Sequence, residues 1–110
     1  MKQKRKTRKK HKPSILHVKN GTCYLCMMEG NYGRYLVLHK HHIFSGVANR
    51  KISEEEGFTC WLCPDHHEFG KAAVHRNAGN MLLLRRIAQR EYEKDHTREE
   101  FVKLIGRNYL

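Results

Sequence analysis

The chain has 110 residues, 22 Lys and Arg against 11 Asp and Glu for a formal net charge of +11, four cysteines and nine histidines. This length supports one domain, small enough that apolar burial alone is a weak source of stability and a metal or cross-link is expected to help. No apolar run approaches the ~20 residues of a membrane span and no secretory apolar segment follows Met1, so a soluble, cytoplasmic protein is expected, and in a reducing compartment closely spaced cysteines favour metal over disulfides.

The charge is concentrated at the start. Eight of the 22 basic residues fall in residues 1–12 with no acid among them, which leaves 14 basic against 11 acidic side chains elsewhere. A run of this kind repels itself, so residues 1–13 are expected to be a disordered basic tail closed by Pro13. Its charge would add affinity for nucleic acid through counterion release, with little sequence preference. The folded unit is expected over 14–110.

Ile15 to Val18 suits a short strand or a lead-in, and Gly21-Thr22 introduces Cys23-Tyr24-Leu25-Cys26. Glu29 to Gly33 is turn-like. Arg34 to Leu38 is β-prone and runs into His39-Lys40-His41-His42-Ile43-Phe44. Ser45 to Lys51 reads as a loop. Ser53 to Glu56 fits a short helical turn with a capping box, stopped by Gly57. Phe58 to Leu62 reads as a second strand feeding Cys63-Pro64-Asp65-His66-His67. Pro64 suits a first helical turn, and Gly70 is expected to end that helix. Leu84, Ile87, Ala88 and Tyr92 recur at helical spacing over Asn80 to Asp95. Thr97 and Glu100 form a capping box for a last helix, whose apolar face holds Phe101, Leu104 and Ile105 and which Gly106 ends.

A Cys-x-x-Cys turn presents two thiolates to one ion, and structural zinc takes four such ligands in a tetrahedron. Cys23 and Cys26 form one pair. Two partner pairs fit by spacing: Cys63 with His66, or Cys60 with Cys63. The Pro-Asp turn favours Cys63 and His66, with Cys60 as a small buried hydrophobe. Such a site would pin distant segments and fix the loop that carries His41 and His42. His39, two residues before His41, shares its strand face and reads as DNA-facing or exposed. Asn49, Arg50 and Lys51 are candidate DNA-backbone contacts, which Lys71, Arg76, Arg85, Arg86 and Arg90 could extend. No feature suggests base-specific readout.

A strand ending His41-His42-Ile43, then Leu62-Cys63-x-x-His66-His67, resembles the HNH (ββα-metal, or His-Me finger) endonucleases, and among them small phage-encoded members with two zinc knuckles. The resemblance covers roughly residues 20–76. It implies a small α+β fold in which a ββα-metal motif is braced by structural zinc, with C-terminal helices over about 78–110. It implies a metal-dependent DNA endonuclease of phage or prophage origin, acting in a bacterial host cell on DNA, with no membrane or small-molecule substrate. His42 takes the role of general base. His41 and His67 become ligands of a catalytic divalent ion, Mg²⁺ or Mn²⁺ foremost, with Zn²⁺ or Ni²⁺ tolerated by a His-rich site. His75 is a third ligand or phosphate contact if Gly70 breaks the helix and turns the chain back; otherwise it is a surface histidine. Ser45 stands where many members have Pro, Gly57 or Phe58 where the motif's middle Asn falls, and His66 where a Cys is common. The competing readings are a noncatalytic zinc-binding DNA accessory protein of phage recombination or packaging, which needs neither His42 nor His67, and an RNA-binding zinc protein.

Overall fold

The computed structural model describes residues 12–110; most of the expected basic tail, up to residue 11, lies outside the described residues. The elements run α1 (Tyr24–Met28), β1 (His39–His42), α2 (Val47–Glu56), β2 (Thr59–Leu62), a π-helical turn (Asp65–Phe69), α3 (Ala78–Tyr92) and α4 (Arg98–Ile105). β1 and β2 form an antiparallel sheet, with His39 opposite Leu62, Lys40 opposite Trp61, His41 opposite Cys60 and His42 opposite Thr59. The result is a small α+β fold. No helix among the described residues is long and apolar enough to cross a membrane.

The pleat sorts the sheet residues by face. His39, His41, Cys60 and Leu62 share one face, on which His41, Cys60 and Leu62 are buried. Lys40, His42, Thr59 and Trp61 share the other. Ser14 and His17 cover the outer edge of β2: the Ser14 hydroxyl donates to the Thr59 carbonyl, and the Trp61 N–H donates to His17 Nδ1 at 3.1 Å. Residues 15–18 are therefore a lead-in rather than a third strand. Side chains of the lead-in do the pairing and keep the edge from a foreign strand.

Three local expectations change. Arg34 to Leu38 is not a strand; a single bridge pairs Thr22 with Arg34, and the regular strand begins at His39. The segment expected as a loop, Ser45 to Lys51, instead supplies the first half of α2, which starts at Val47 after Gly46 at φ +94°. Ser53 lies inside α2 rather than capping it, because its hydroxyl has a better use. Fully buried, it accepts the Phe44 N–H at 3.1 Å and donates to the Phe44 carbonyl at 3.0 Å. Gly57 ends α2 in the left-handed region at φ +78°, as its sequence position suggested, and a Cβ there would collide with the Pro13 carbonyl.

An aromatic core joins the sheet to the C-terminal helices. Phe44, Phe58, Tyr92 and Phe101 meet edge to face, with ring centroids 5.1–6.0 Å apart. The last helix keeps the capping box read from Thr97 and Glu100. Gln89 is fully buried yet satisfied. Its amide donates to Glu93 and Asn108, and its carbonyl accepts the Tyr109 N–H at 2.8 Å, which holds the C-terminal segment against α3.

Ser53→Ala should lower stability by about 1–3 kcal/mol, since it strips both bonds from a buried backbone. Urea denaturation of the metal-loaded protein measures this; a midpoint unchanged from wild type would show that Ser53 does not tie α2 to the end of β1.

Candidate functional site

Two ligand clusters lie on either side of the π-helical turn. In the first, Cys23 caps α1, so its Sγ and that of Cys26 turn toward one point, and the Cys26 N–H donates to Cys23 Sγ. Cys63 and His66 arrive from the end of β2. His66 Nδ1 lies 3.4 Å from Cys23 Sγ, 3.3 Å from Cys26 Sγ and 3.4 Å from Cys63 Sγ, and the Cys26 and Cys63 sulfurs are 3.9 Å apart. Tetrahedral zinc with bonds of about 2.3 Å to sulfur and about 2.0 Å to nitrogen has sulfur–sulfur edges of ~3.8 Å and sulfur–nitrogen edges of ~3.5 Å. Cys23, Cys26, Cys63 and His66 therefore could hold a structural metal such as zinc. Cys60 is outside this group, opposite His41 in the sheet and fully buried, and burial pushes its thiol well up. Burial also raises Cys23, and pushes Cys26 up to about 12. Thiolates so placed need a cation to offset lost hydration.

Two side chains outside the four ligands orient them. Glu29 Oε2 lies 3.3 Å from His66 Nε2, the nitrogen not aimed at the sulfurs, and the Tyr35 hydroxyl lies 3.0 Å from Cys26 Sγ. That hydrogen bond, more than burial, holds the Tyr35 hydroxyl protonated.

The second cluster is built of histidines. His41 comes from β1, His67 from the π-helical turn and His75 from the segment beyond it, and one nitrogen of each lies within 4.8 Å of the others. Gly70 is what brings His75 here. Its backbone leaves helical geometry for φ −84°, ψ 169°, and the Val74 N–H then donates back to the His66 carbonyl at 2.8 Å. His75 Nε2 ends 3.1 Å from His67 Nε2. His41 Nε2 is buried and has no hydrogen-bond partner among the described residues. A buried nitrogen of this kind is costly unless it finds a partner. Burial foremost, then the neighbouring charges of His67, His75, His42 and Arg85, lowers His41 to about 3. His67 is lowered too, mainly by burial and then by His75 and His39, with Glu68 opposing. These shifts keep the two rings neutral, the form that ligates a cation. The donor set therefore fits a divalent ion, and three protein ligands leave positions open for water or substrate.

A cleft of about 530 Å³ opens over this cluster, lined among others by Lys40, His42, Arg50 and Glu68. His42 Nε2 lies 2.7 Å from Glu54 Oε1, and Lys40 Nζ lies 2.8 Å from Glu54 Oε2. Glu54 sits on α2. Its part was hidden in the sequence because the residues ahead of it read as loop and cap; once α2 spans Val47–Glu56, the carboxylate falls beside His42. Arg85, on α3, secures the chain after β1 by donating to the Ile43 carbonyl and the Ser45 hydroxyl.

The candidate DNA contacts separate. Arg50 lines the cleft and Lys51 is exposed on α2, whereas Asn49 turns away and donates to the Ile105 carbonyl at 3.2 Å, joining α2 to α4. His39 is not simply outward-facing: its Nδ1 lies 2.9 Å from His67 Nδ1.

Compared with known proteins, the chain matches no family model, no curated protein and no solved structure.

Metal analysis of purified variants tests the first cluster. Cys63→Ser should lose its zinc and the folding transition that zinc supports, while Cys60→Ala keeps one equivalent and loses only about 1–2 kcal/mol through the cavity. Zinc retained by Cys63→Ser would reject the ligand assignment, and zinc lost by Cys60→Ala would place Cys60 among the ligands.

Proposed function

We propose that the chain is a metal-dependent DNA endonuclease of the HNH, ββα-metal type, in which His42 is the general base. The observation that carries the reading is the buried, unpartnered His41 Nε2, clustered with His67 and His75 in a cleft that is also lined by His42, the partner of Glu54. A hairpin followed by a short helical turn, with ligands on both, supports the same assignment.

His41, His67 and His75 would hold a divalent ion, which would supply Lewis-acid activation of a phosphodiester and charge stabilisation at the leaving oxygen. Three imidazoles without a carboxylate argue for Mn²⁺, Ni²⁺ or Zn²⁺ over Mg²⁺, which prefers oxygen ligands. The chain's own residues supply the rest. Glu54 accepts the Nε2–H of His42, which fixes the neutral tautomer and leaves Nδ1 as the lone pair that removes a proton from the attacking water. As that proton arrives, the imidazolium formed is stabilised by the carboxylate 2.7 Å away. Lys40 shares Glu54 and holds its second oxygen in place. Arg50, on the rim of the cleft, suits a phosphate oxygen. Backbone recognition of this kind, with the strongly basic residues 1–12 adding charge, matches DNA as the substrate and gives little base preference.

Nicking of supercoiled plasmid with added Mn²⁺ or Ni²⁺ is the direct assay. His42→Ala should cut about 10²–10⁴-fold more slowly while binding metal as wild type does. His41→Ala should lose both the metal and the activity. Wild-type cutting by His42→Ala would reject the base. Binding with no cutting by wild type under every divalent ion would leave the noncatalytic DNA-binding reading in its place.

Glu54→Gln should retain the fold and the metal but lower the cleavage rate about tenfold or more, because the amide no longer stabilises a charged imidazolium. Single-turnover kinetics read this without interference from product release, and an unchanged rate would remove Glu54 from the mechanism.

A further inference from the structure

We infer that His39 is a positioning residue for the histidine cluster: its Nδ1 accepts the Nδ1–H of His67 and thereby presents His67 Nε2 to the cation. The inference rests on the proposed metal site of His41, His67 and His75, and concerns a side chain that the resemblance gives no part.

The geometry follows from the sheet. His39 and His41 are two apart on β1 and share a face, so both rings reach the π-helical turn. The His39 and His67 rings meet edge to face, with centroids 4.9 Å apart and an interplanar angle of 75°. The two nitrogens of His67 have different neighbours. Nε2 faces His75 Nε2 at 3.1 Å, and Nδ1 faces His39 Nδ1 at 2.9 Å. A neutral imidazole has one lone pair and one N–H. With the Nε2 lone pair committed to the ion beside His75 and His41, the proton sits on Nδ1 and needs an acceptor. His39 Nδ1 is the nearest one; the Glu68 carboxylate, on a half-exposed side chain, is 3.5 Å away. At that separation Glu68 is a weak competitor.

The other arrangement open to these residues is a second ion on His39, His67 and Glu68, whose donor atoms also cluster. It would draw on a lone pair at His67 Nδ1. The same ring cannot serve both ions without losing its remaining proton, so the buried, unpartnered His41 Nε2 decides in favour of the inner position. Partners that hold the second nitrogen of a ligating histidine commonly set metal affinity by about 10–100-fold.

Calorimetric titration of Ni²⁺ into protein already loaded with one equivalent of zinc tests this without DNA. His39→Ala should weaken Ni²⁺ binding about 10–100-fold. His39→Asn, whose side-chain oxygen can stand where Nδ1 stood, should recover affinity to within about fivefold of wild type, and Glu68→Gln should stay within about twofold. With Zn²⁺ filling the cluster, long-range ¹H–¹⁵N correlation should show His67 as the Nδ1–H tautomer in wild type. Unchanged Ni²⁺ affinity in His39→Ala would overturn the inference, as would equal losses in the Ala and Asn variants, since His39 would then be a ligand itself. A second Ni²⁺ equivalent lost with Glu68→Gln would also overturn it, in favour of the outer ion. If wild type binds Ni²⁺ as described but never cuts DNA, the nuclease reading fails and this one stands.

Discussion

Two adjacent histidines leave the π-helical turn in different directions, and the arrangement of both clusters depends on that divergence. His66 turns to the three sulfurs and His67 to the other imidazoles. Neighbours on a helical turn project on the order of 90° apart, so one short segment can serve two centres without a linker between them. A metal held by Cys23, Cys26, Cys63 and His66 would therefore do more than join α1 to the end of β2. It would fix the backbone that aims His67. The position of His67 is thereby tied to that of His66, alongside the His67 N–H bond to the Cys63 carbonyl.

The opposite wall of the cleft depends on strand alternation. Because side chains on β1 change face at each step, His39 and His41 reach the turn while Lys40 and His42 reach α2. A slip of one residue in the pairing with β2 would exchange these roles completely. Two devices hold the register. Ser53 clasps both polar groups of Phe44 just past the strand, and Arg85 reaches from α3 to the Ile43 carbonyl. The histidine doublet is thus flanked on one side by a helix and on the other by the turn that carries His66 and His67. The aromatic core of Phe44, Phe58, Tyr92 and Phe101 supports both.

Ligand spacing and turn chemistry carried most of what the sequence revealed. The Cys-x-x-Cys pair, the choice of Cys63 and His66 over Cys60, and Gly70 as the end of the short helix all follow from local rules, and the fold places those residues accordingly, whereas the sequence left open whether His75 turns back toward His67. The capping box of the last helix is equally local. Long-range use of polar residues was not legible. Ser53 looked like a cap because nothing in its neighbourhood announces the Phe44 backbone nine residues earlier. Asn49 looked like a phosphate contact because the Ile105 carbonyl is 56 residues away. Glu54 and His39 were invisible as partners for the same reason. Each is defined by an atom it meets only after the chain has folded, and neither period nor propensity encodes that meeting.

The protonation state of His41 connects stability to chemistry. Burial lowers its folded value to about 3 against an ordinary value near 6.5. Between those limits the unfolded chain takes up a proton that the folded chain refuses, so this residue's contribution to stability falls as the pH drops from about 6.5 toward 3 and is constant above. The burial that imposes this cost also keeps the lone pair free for a cation throughout the neutral range. A ligand-binding nitrogen without a partner is therefore unfavourable in the isolated fold and favourable in the loaded one, because an ion bound only by the folded state stabilises it by mass action. A cation held with His67 and His75 would give the unsatisfied Nε2 of His41 the partner that a purely structural histidine at that position would have been expected to find in a carbonyl or hydroxyl.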